Sequence, residues 1–214
     1  MTAASSVQKN RLKGLYAITD ERLITEERFS EVIEAALQGG ASIIQYRDKS
    51  DDHQKRIQQA TSLRELCTEY DAICIINDDI ELAKTVDADG VHLGQDDTAL
   101  VNARSSLGED AIIGISCYND IELALTAEKN SADYVAFGTM FSSPTKPDAV
   151  TAGPDIISQA KKQLSVPVCA IGGITDENIH QLVQQQSDMA AVISSLFAAD
   201  DIKHRARLLS QHFS

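Results

Sequence analysis

A single-domain α/β TIM (β/α)8 barrel is the architecture this sequence predicts, on three observations. Short, almost uninterrupted apolar runs recur along the chain, as expected of parallel strands covered on both faces. A helix-like segment follows each run, giving eight strands in strict alternation with eight helical or helix-like segments. No G-x-G-x-x-G opens any of those segments, which counts against the competing open, doubly wound sheet. Eight such units in about 200 residues sit at the small end of the barrel's size range. At 214 residues and 43% apolar content the chain can bury one large core.

Taken in order, residues 14–19 (GLYAIT) form the first strand. Phe29, Val32, Ile33, Ala36 and Leu37 then recur at helical spacing until Gly39-Gly40 closes the helix. Residues 41–46 (ASIIQY) are the second strand, and a long polar helix runs to about 69 with Ile57, Ala60, Leu63 and Leu66 on one face. The third and fourth strands, 73–76 and 90–93, flank about a dozen helix-like residues and make a parallel βαβ unit. A short segment at 99–107 precedes the fifth strand, 111–116 (AIIGIS), and the helix 119–130. Residues 132–138 (ADYVAFG) are the sixth strand, followed by the longest loop, TMFSSPTKPDAVTAGP, and a helix at about 155–164. The seventh strand, 166–171, ends at Gly172-Gly173 and leads to a helix at 176–186. The eighth, 189–194, leads to a last helix at about 200–212. Residues 1–13 read as a polar N-terminal extension without the apolar stretch of a signal peptide, and no linker divides the chain, so residues 1–214 read as one domain.

With 32 acidic against 19 basic residues the net charge is −13, which disfavours nucleic acid and anionic membrane as partners. No apolar stretch approaches the roughly 18 residues of a membrane span. Cys67, Cys74, Cys117 and Cys169 form no C-x-x-C and read as reduced thiols of a cytoplasmic protein. The oligomeric state stays open, a homo-oligomer included.

Ligands of parallel α/β folds bind at the carboxyl ends of the strands, and the residues there form a selected set. The second strand gives Gln45, Arg47 and Lys49; the third Asn77 and Asp78; the fourth Asp97; the fifth Ser116. The loop after the sixth gives Ser143, Thr145 and Lys146, and the last two strands give Gly172-Gly173 and Ser194. Asp78 and Asp97, on strands roughly 5 Å apart if adjacent, suit Mg²⁺, a hard cation satisfied by one or two carboxylates with water and phosphate. The competing reading makes Asp78 a helix cap, because Asp78 and Glu81 match the D-x-x-E capping box. Three cations, two carboxylates, hydroxyls and glycine turns around one mouth describe a site for a phosphorylated small molecule with a metal. His92, inside GVHLG, reads as a packed, hydrogen-bonded residue of the barrel wall rather than a metal ligand.

Gln45-Tyr46-Arg47-Asp48-Lys49, Ile76-Asn77-Asp78, Gly90-Val91-His92-Leu93-Gly94-Gln95-Asp96-Asp97, Gly114-Ile115-Ser116, Pro144-Thr145-Lys146-Pro147 and Ile171-Gly172-Gly173-Ile174 resemble the thiamine phosphate synthase family, in order and over nearly the whole chain. The resemblance implies an enzyme that joins 4-amino-2-methyl-5-(diphosphooxymethyl)pyrimidine to a thiazole phosphate, releasing pyrophosphate. It implies that Gln45, Tyr46, Arg47, Asp48, Lys49, Asn77, Ser116 and Lys146 hold the pyrimidine diphosphate, with Arg47, Lys49, Lys146 and Ser116 in catalytic roles. It further implies that Asp78 and Asp97 hold Mg²⁺, and that Ser143, Pro144, Thr145, Gly173, Ile193 and Ser194 contact the thiazole phosphate. Two departures stand out: Ser143-Pro144-Thr145-Lys146 replaces the family's Thr-x-Thr-Lys, and Met189 stands where the family favours glycine at the start of strand eight. A thiazole tautomerase, a sugar-phosphate epimerase and a silent binder of thiamine precursors are the competing functions.

Overall fold

The structure, a computed structural model, describes residues 11–94, 97–142 and 152–213, with side chains for all of these but residues 97 and 98. Eight parallel strands close a barrel in sequence order: β1 Gly14–Ile18, β2 Ala41–Tyr46, β3 Ile73–Asn77, β4 Gly90–Leu93, β5 Ile112–Tyr118, β6 Tyr134–Phe137, β7 Val168–Ile171 and β8 Met189–Val192. Between them run α1 Phe29–Gln38, α2 His53–Glu69, α3 Ile80–Thr85, α4 Asp97–Leu107, α5 Ile121–Lys129, α6 Asp155–Lys161, α7 Ile179–Gln184, and, after β8, α8 Ser194–Phe197 and α9 Ile202–Ser210.

The period-two alternation of each strand divides the buried residues into two cores. Outward residues such as Leu15, Ile44, Cys74, Ile76, Val91 and Ile113 pack under the helices. Inward residues, among them Tyr16, Ile43, Ile75, Ile112, Tyr134 and Met189, fill the barrel as a separate cluster. Leu12, at the end of the stretch read as a polar extension, is buried and joins that interior cluster, so this residue contributes to the barrel floor. Gly114 is the concession that lets Tyr134 inside: a Cβ there would lie 2.0 Å from the tyrosine Cζ. Met189 raises no difficulty for strand eight. It is fully buried inside the barrel and pairs in regular parallel register with Gly14 on one side and Cys169 on the other.

One device closes the bottom of the barrel three times over. Asp89, Asp133 and Asp188 stand immediately before β4, β6 and β8. Their carboxylates accept the backbone N–H of Cys74, Ile113 and Val168 at 2.7, 2.8 and 2.7 Å, in each case on the preceding strand. Arg64, Arg104 and Lys161 approach the same carboxylates at 3.6, 2.7 and 2.6 Å. The brace around Asp133 is the best enclosed, its Arg104 also donating to the carbonyls of Ala111 and Ser131. Asp133→Ala, which strands the Ile113 amide and removes the counter-charge of Arg104, is expected to cost about 2 kcal/mol. Asp133→Asn, which keeps an acceptor oxygen, is expected to cost less. Urea unfolding of the two variants measures the difference.

Three local outcomes differ from the sequence reading. The helix carrying Phe29 to Leu37 is led in by a 3-10 turn at Glu26–Arg28, which its apolar spacing does not announce. The segment after β4 is a full helix that Asp97 opens, longer than the short stretch expected at 99–107. Strand eight stops at Val192, and Ser194 starts the short helix α8 instead of ending the strand.

Candidate active site at the barrel mouth

The carboxyl end of β3 carries the group that decides between cap and ligand. Asp79, one residue beyond the expected position, caps α3: its carboxylate accepts from the Leu82 amide at 2.9 Å and pairs with Arg56 at 2.6 Å. Asp78 is thereby left without a capping duty. It sits at φ +62, a left-handed conformation that Asp and Asn tolerate better than most residues. Its carboxylate takes Lys49 Nζ at 3.0 Å and Asn77 Nδ2 at 2.7 Å, and its amide donates to the His92 carbonyl at 2.9 Å. Lys49 and Asp78 are 52% and 53% exposed, a setting in which an ion pair contributes little to stability and remains available to a ligand. Lys49, Asn77 and Asp78 line a cavity of about 630 Å³ with Arg56, Asn102 and Ser106.

Other members of the set take different positions. Arg47 is tied through its backbone to the Thr19 hydroxyl, 2.8 and 3.0 Å, and its guanidinium forms no ion pair with a described carboxylate. Tyr46 turns outward, packs edge-on against Phe29 and donates to Gln59 at 3.0 Å. Asp48 is held by Lys55 at 2.7 Å and by the Ser50 amide at 2.7 Å, and these bonds keep its carboxyl below the usual range despite burial. Both side chains are thus committed to the protein. Asp97 is the first residue of α4, and its side chain lies outside the described residues, as do Ser143, Pro144, Thr145 and Lys146.

On the opposite side of the mouth, Gly172 and Gly173 turn the chain at φ +104 and +65. The loop after β6 lies directly on this turn, with Met140 and Phe141 donating to the carbonyls of Ile171 and Gly172, both at 3.0 Å. A Cβ on Gly173 would stand 2.5 Å from the Phe141 carbonyl oxygen. Asn178 braces the turn, donating to the Gly173 carbonyl and accepting from the Thr175 amide, both at 2.9 Å. Ile193 precedes α8 and Ser194 opens it, next to β7 through the β7–β8 pairing.

The barrel interior adds two tyrosines, Tyr16 and Tyr134, that no sequence motif marks, and they link Gln45, His92 and Ser116. Gln45 Nε2 donates to the Tyr16 hydroxyl at 2.7 Å; Tyr16 and Tyr134 meet at 2.8 Å; His92 Nδ1 meets Tyr134 at 2.9 Å and its Nε2 meets Ser116 Oγ at 2.9 Å. The expected wall position of His92 is therefore occupied, with a hydroxyl on each ring nitrogen. Tyrosines at inward positions of otherwise apolar strands were the signal available in the sequence. Arg56, which lines the cavity from α2, left no such mark.

Burial, opposed in part by the Asp78 charge, pulls the His92 imidazole from 6.5 down to about 4. Below 6.5 the unfolded chain takes up a proton that the folded one refuses, so stability is full above 6.5 and falls as pH drops toward 4. The expected loss from this group at pH 5 is about 2 kcal/mol. In His92→Gln the corresponding part of the pH slope disappears, which urea titrations at pH 7.5 and pH 5 resolve.

An all-parallel closed barrel with a short extra helix after β8 defines a (β/α)8 fold, and Lys49, Arg56 and Asp78 line the cavity at its mouth. Comparison with known proteins specifies which kind. The profile of the thiamine monophosphate synthase family matches residues 15–196. The chain is 48% identical over 202 residues to a thiamine-phosphate synthase of Nitrosococcus oceani, covering 94% of this chain and 93% of that one. To the Marinobacter nauticus thiamine-phosphate synthase it is 48% identical over 203 residues, covering 94% and 91%. Among solved structures, a thiamine phosphate pyrophosphorylase from Pyrococcus furiosus superposes with a TM-score of 0.86 at 36% identity, covering 96% and 97%. The chain belongs to the thiamine monophosphate synthase family, whose members of that name are transferases. No described helix is long and apolar enough to cross a membrane.

Proposed function

We propose that this barrel joins 4-amino-2-methyl-5-(diphosphooxymethyl)pyrimidine to 4-methyl-5-(2-phosphooxyethyl)thiazole, or its carboxylated form, to give thiamine phosphate and pyrophosphate. The observation that carries the reading is Asp78, released from capping by Asp79 and held at the cavity by Lys49 and Asn77. A tautomerase or an epimerase has no diphosphate to hold and so no use for this acidic and cationic cluster.

The donor set fits Mg²⁺. Asp78 presents a hard carboxylate oxygen to the cavity, and Mg²⁺ is satisfied by one or two carboxylates with water and phosphate oxygens as its remaining ligands. Asp78 and Asp97 would hold it, and when bound it neutralises charge on the diphosphate.

The protein's own residues divide the remaining work. Arg47, Lys49 and Lys146 stabilise the departing pyrophosphate, whose carbon–oxygen bond breaks as positive charge spreads into the electron-rich aminopyrimidine. Gln45, Asn77 and Ser116 hold the pyrimidine, with the backbone at Tyr46 and Asp48 fixing the strand end. The Gly173 turn with Ser143, Pro144, Thr145, Ile193 and Ser194 anchors the thiazole phosphate, so that the thiazole nitrogen faces the carbon losing pyrophosphate. The family resemblance implies that the breaking carbon–oxygen bond leads the forming carbon–nitrogen bond, a dissociative order.

Incubating the purified protein with both substrates and Mg²⁺ and measuring thiamine phosphate and pyrophosphate tests the proposal. Stoichiometric formation of both supports it, and isomerised thiazole phosphate or unreacted substrates would replace it with the tautomerase or silent-binder reading. Lys146→Ala is expected to slow single-turnover cleavage by about a hundredfold with thiazole binding little altered, as rapid quench at saturating substrates measures.

A further inference from the structure

Tyr16 and Tyr134 place two hydroxyls where packing alone would favour phenylalanine. Both rings are buried, 1% and 0% exposed, in the apolar cluster that includes Ile43, Ile73 and Ile75. Their hydroxyls join the two mouth residues Gln45 and Ser116 through His92. We propose that Tyr16, Tyr134 and His92 form a positioning relay that fixes, as one unit, the hydrogen-bonding polarity with which Gln45 and Ser116 face the aminopyrimidine. The inference rests on the proposed placement of the pyrimidine at those two residues.

Proton counting gives the relay its direction. Gln45 donates its amide N–H to Tyr16, so the single Tyr16 proton goes on to Tyr134. Tyr134 then gives its own proton to His92 Nδ1, which leaves the ring proton of the neutral imidazole on Nε2. That Nε2–H donates to Ser116 Oγ, and the Ser116 proton is left to point into the mouth. Gln45 therefore presents its carbonyl oxygen as an acceptor, while Ser116 presents a donor. Turning the Gln45 amide over would reverse every link: Tyr16 would donate to Gln45, His92 would carry its proton on Nδ1, and Ser116 would become an acceptor. The two ends cannot be set independently, because each intermediate group has one proton to give.

With Gln45 donating to Tyr16 the pair matches one heterocycle, and only a reversal of the whole relay matches its closest relative. An aminopyrimidine offers a donor, its exocyclic amine, beside a ring-nitrogen acceptor. The 4-oxo analogue offers the opposite pair, an acceptor carbonyl beside a ring N–H donor. Accepting the 4-oxo analogue requires the Gln45 amide and every proton of the relay to reverse together, whereas without the relay each end reverses by itself and leaves no buried group unpaired.

Long-range nitrogen–proton NMR of the free and pyrimidine-diphosphate-bound protein reads the tautomer. A pyridine-type Nδ1 and a pyrrole-type Nε2 on His92 are expected, and the opposite pattern in the complex overturns the relay. Kinetics with the aminopyrimidine diphosphate and its 4-oxo analogue read the consequence. Tyr134→Phe is expected to narrow discrimination between them by about tenfold or more, leaving the KM for the thiazole phosphate unchanged. Tyr16→Phe breaks a different link and serves the same purpose should Tyr134→Phe fail to fold. A loss of stability with discrimination intact in the folded variants means that the tyrosines are packing residues only and overturns the proposal. Gln45→Ala and Ser116→Ala separate the two readings. If neither alters the aminopyrimidine KM, the substrate lies elsewhere and both readings fall. If both raise it while the tyrosine variants keep full discrimination, only the relay falls.

Discussion

Asp78→Asn is expected to lower turnover by at least about a hundredfold and to leave the fold and its stability nearly unchanged. The backbone reason is that Asp78 occupies the left-handed region at φ +62, which Asn also tolerates. Helix α3 keeps its cap, because the capping carboxylate belongs to Asp79. The exposed pairing with Lys49 contributes little that the amide would forfeit. What is removed is a hard anionic oxygen at the cavity, the group a magnesium-bound diphosphate requires. Steady-state turnover against Mg²⁺ concentration, alongside thermal unfolding, measures both halves. An unchanged Mg²⁺ dependence in Asp78→Asn would remove the metal assignment, and a large loss of stability would return Asp78 to a structural role. Asp97→Asn is the companion variant at the start of α4, with the same expected loss of turnover.

The second large effect is expected at Gly173. Gly173→Glu should raise the KM for the thiazole phosphate by about a hundredfold or more, since it sets a carboxylate where the phosphate anchor is proposed. The structure adds a steric component that the residue type alone does not reveal. At φ +65 any side chain is strained, and its Cβ would press on the Phe141 carbonyl at 2.5 Å. Gly173→Ala therefore already displaces the loop after β6 and is expected to raise that KM by roughly tenfold. The further increase in the Glu variant isolates the charge. Pyrimidine diphosphate affinity should stay within about twofold in both, because Lys49, Asn77 and Asp78 lie across the mouth at the ends of β2 and β3. Calorimetric titration with each substrate decides it. Equal losses for both ligands would mean that the whole mouth had collapsed and that the anchor is misplaced.

The cap at β3 illustrates where reading the chain succeeds and where it stops. Asn77-Asp78-Asp79 announces a strand end followed by a helix start, yet the D-x-x-E pattern selects Asp78, and the structure gives the cap to Asp79. Which of two adjacent carboxylates turns toward the Leu82 amide depends on the left-handed backbone at Asp78 and on Arg56, 23 positions earlier in the chain. Neither is visible in a local motif. Strand eight shows the same limit. Its apolar run continues through Ile193, while in the structure the ladder with β1 ends at Val192 and Ser194 opens α8.

The sequence by itself determined the barrel, because eight buried parallel strands must be apolar on both faces and must be separated by helices, and that pattern is local and repeated. It also determined which strand ends carry charge, hydroxyl or glycine, and so where a phosphorylated ligand would meet the protein. Only the tertiary structure decided which of those groups are spent on the fold, as Tyr46 and Asp48 are, and which are left facing the cavity, as Asp78 is. It alone joined Gln45 to Ser116, through hydroxyls from β1 and β6 that are 118 residues apart. Hydrogen bonds inside a closed barrel are made between strands brought together by closure, and no spacing along the chain encodes their partners.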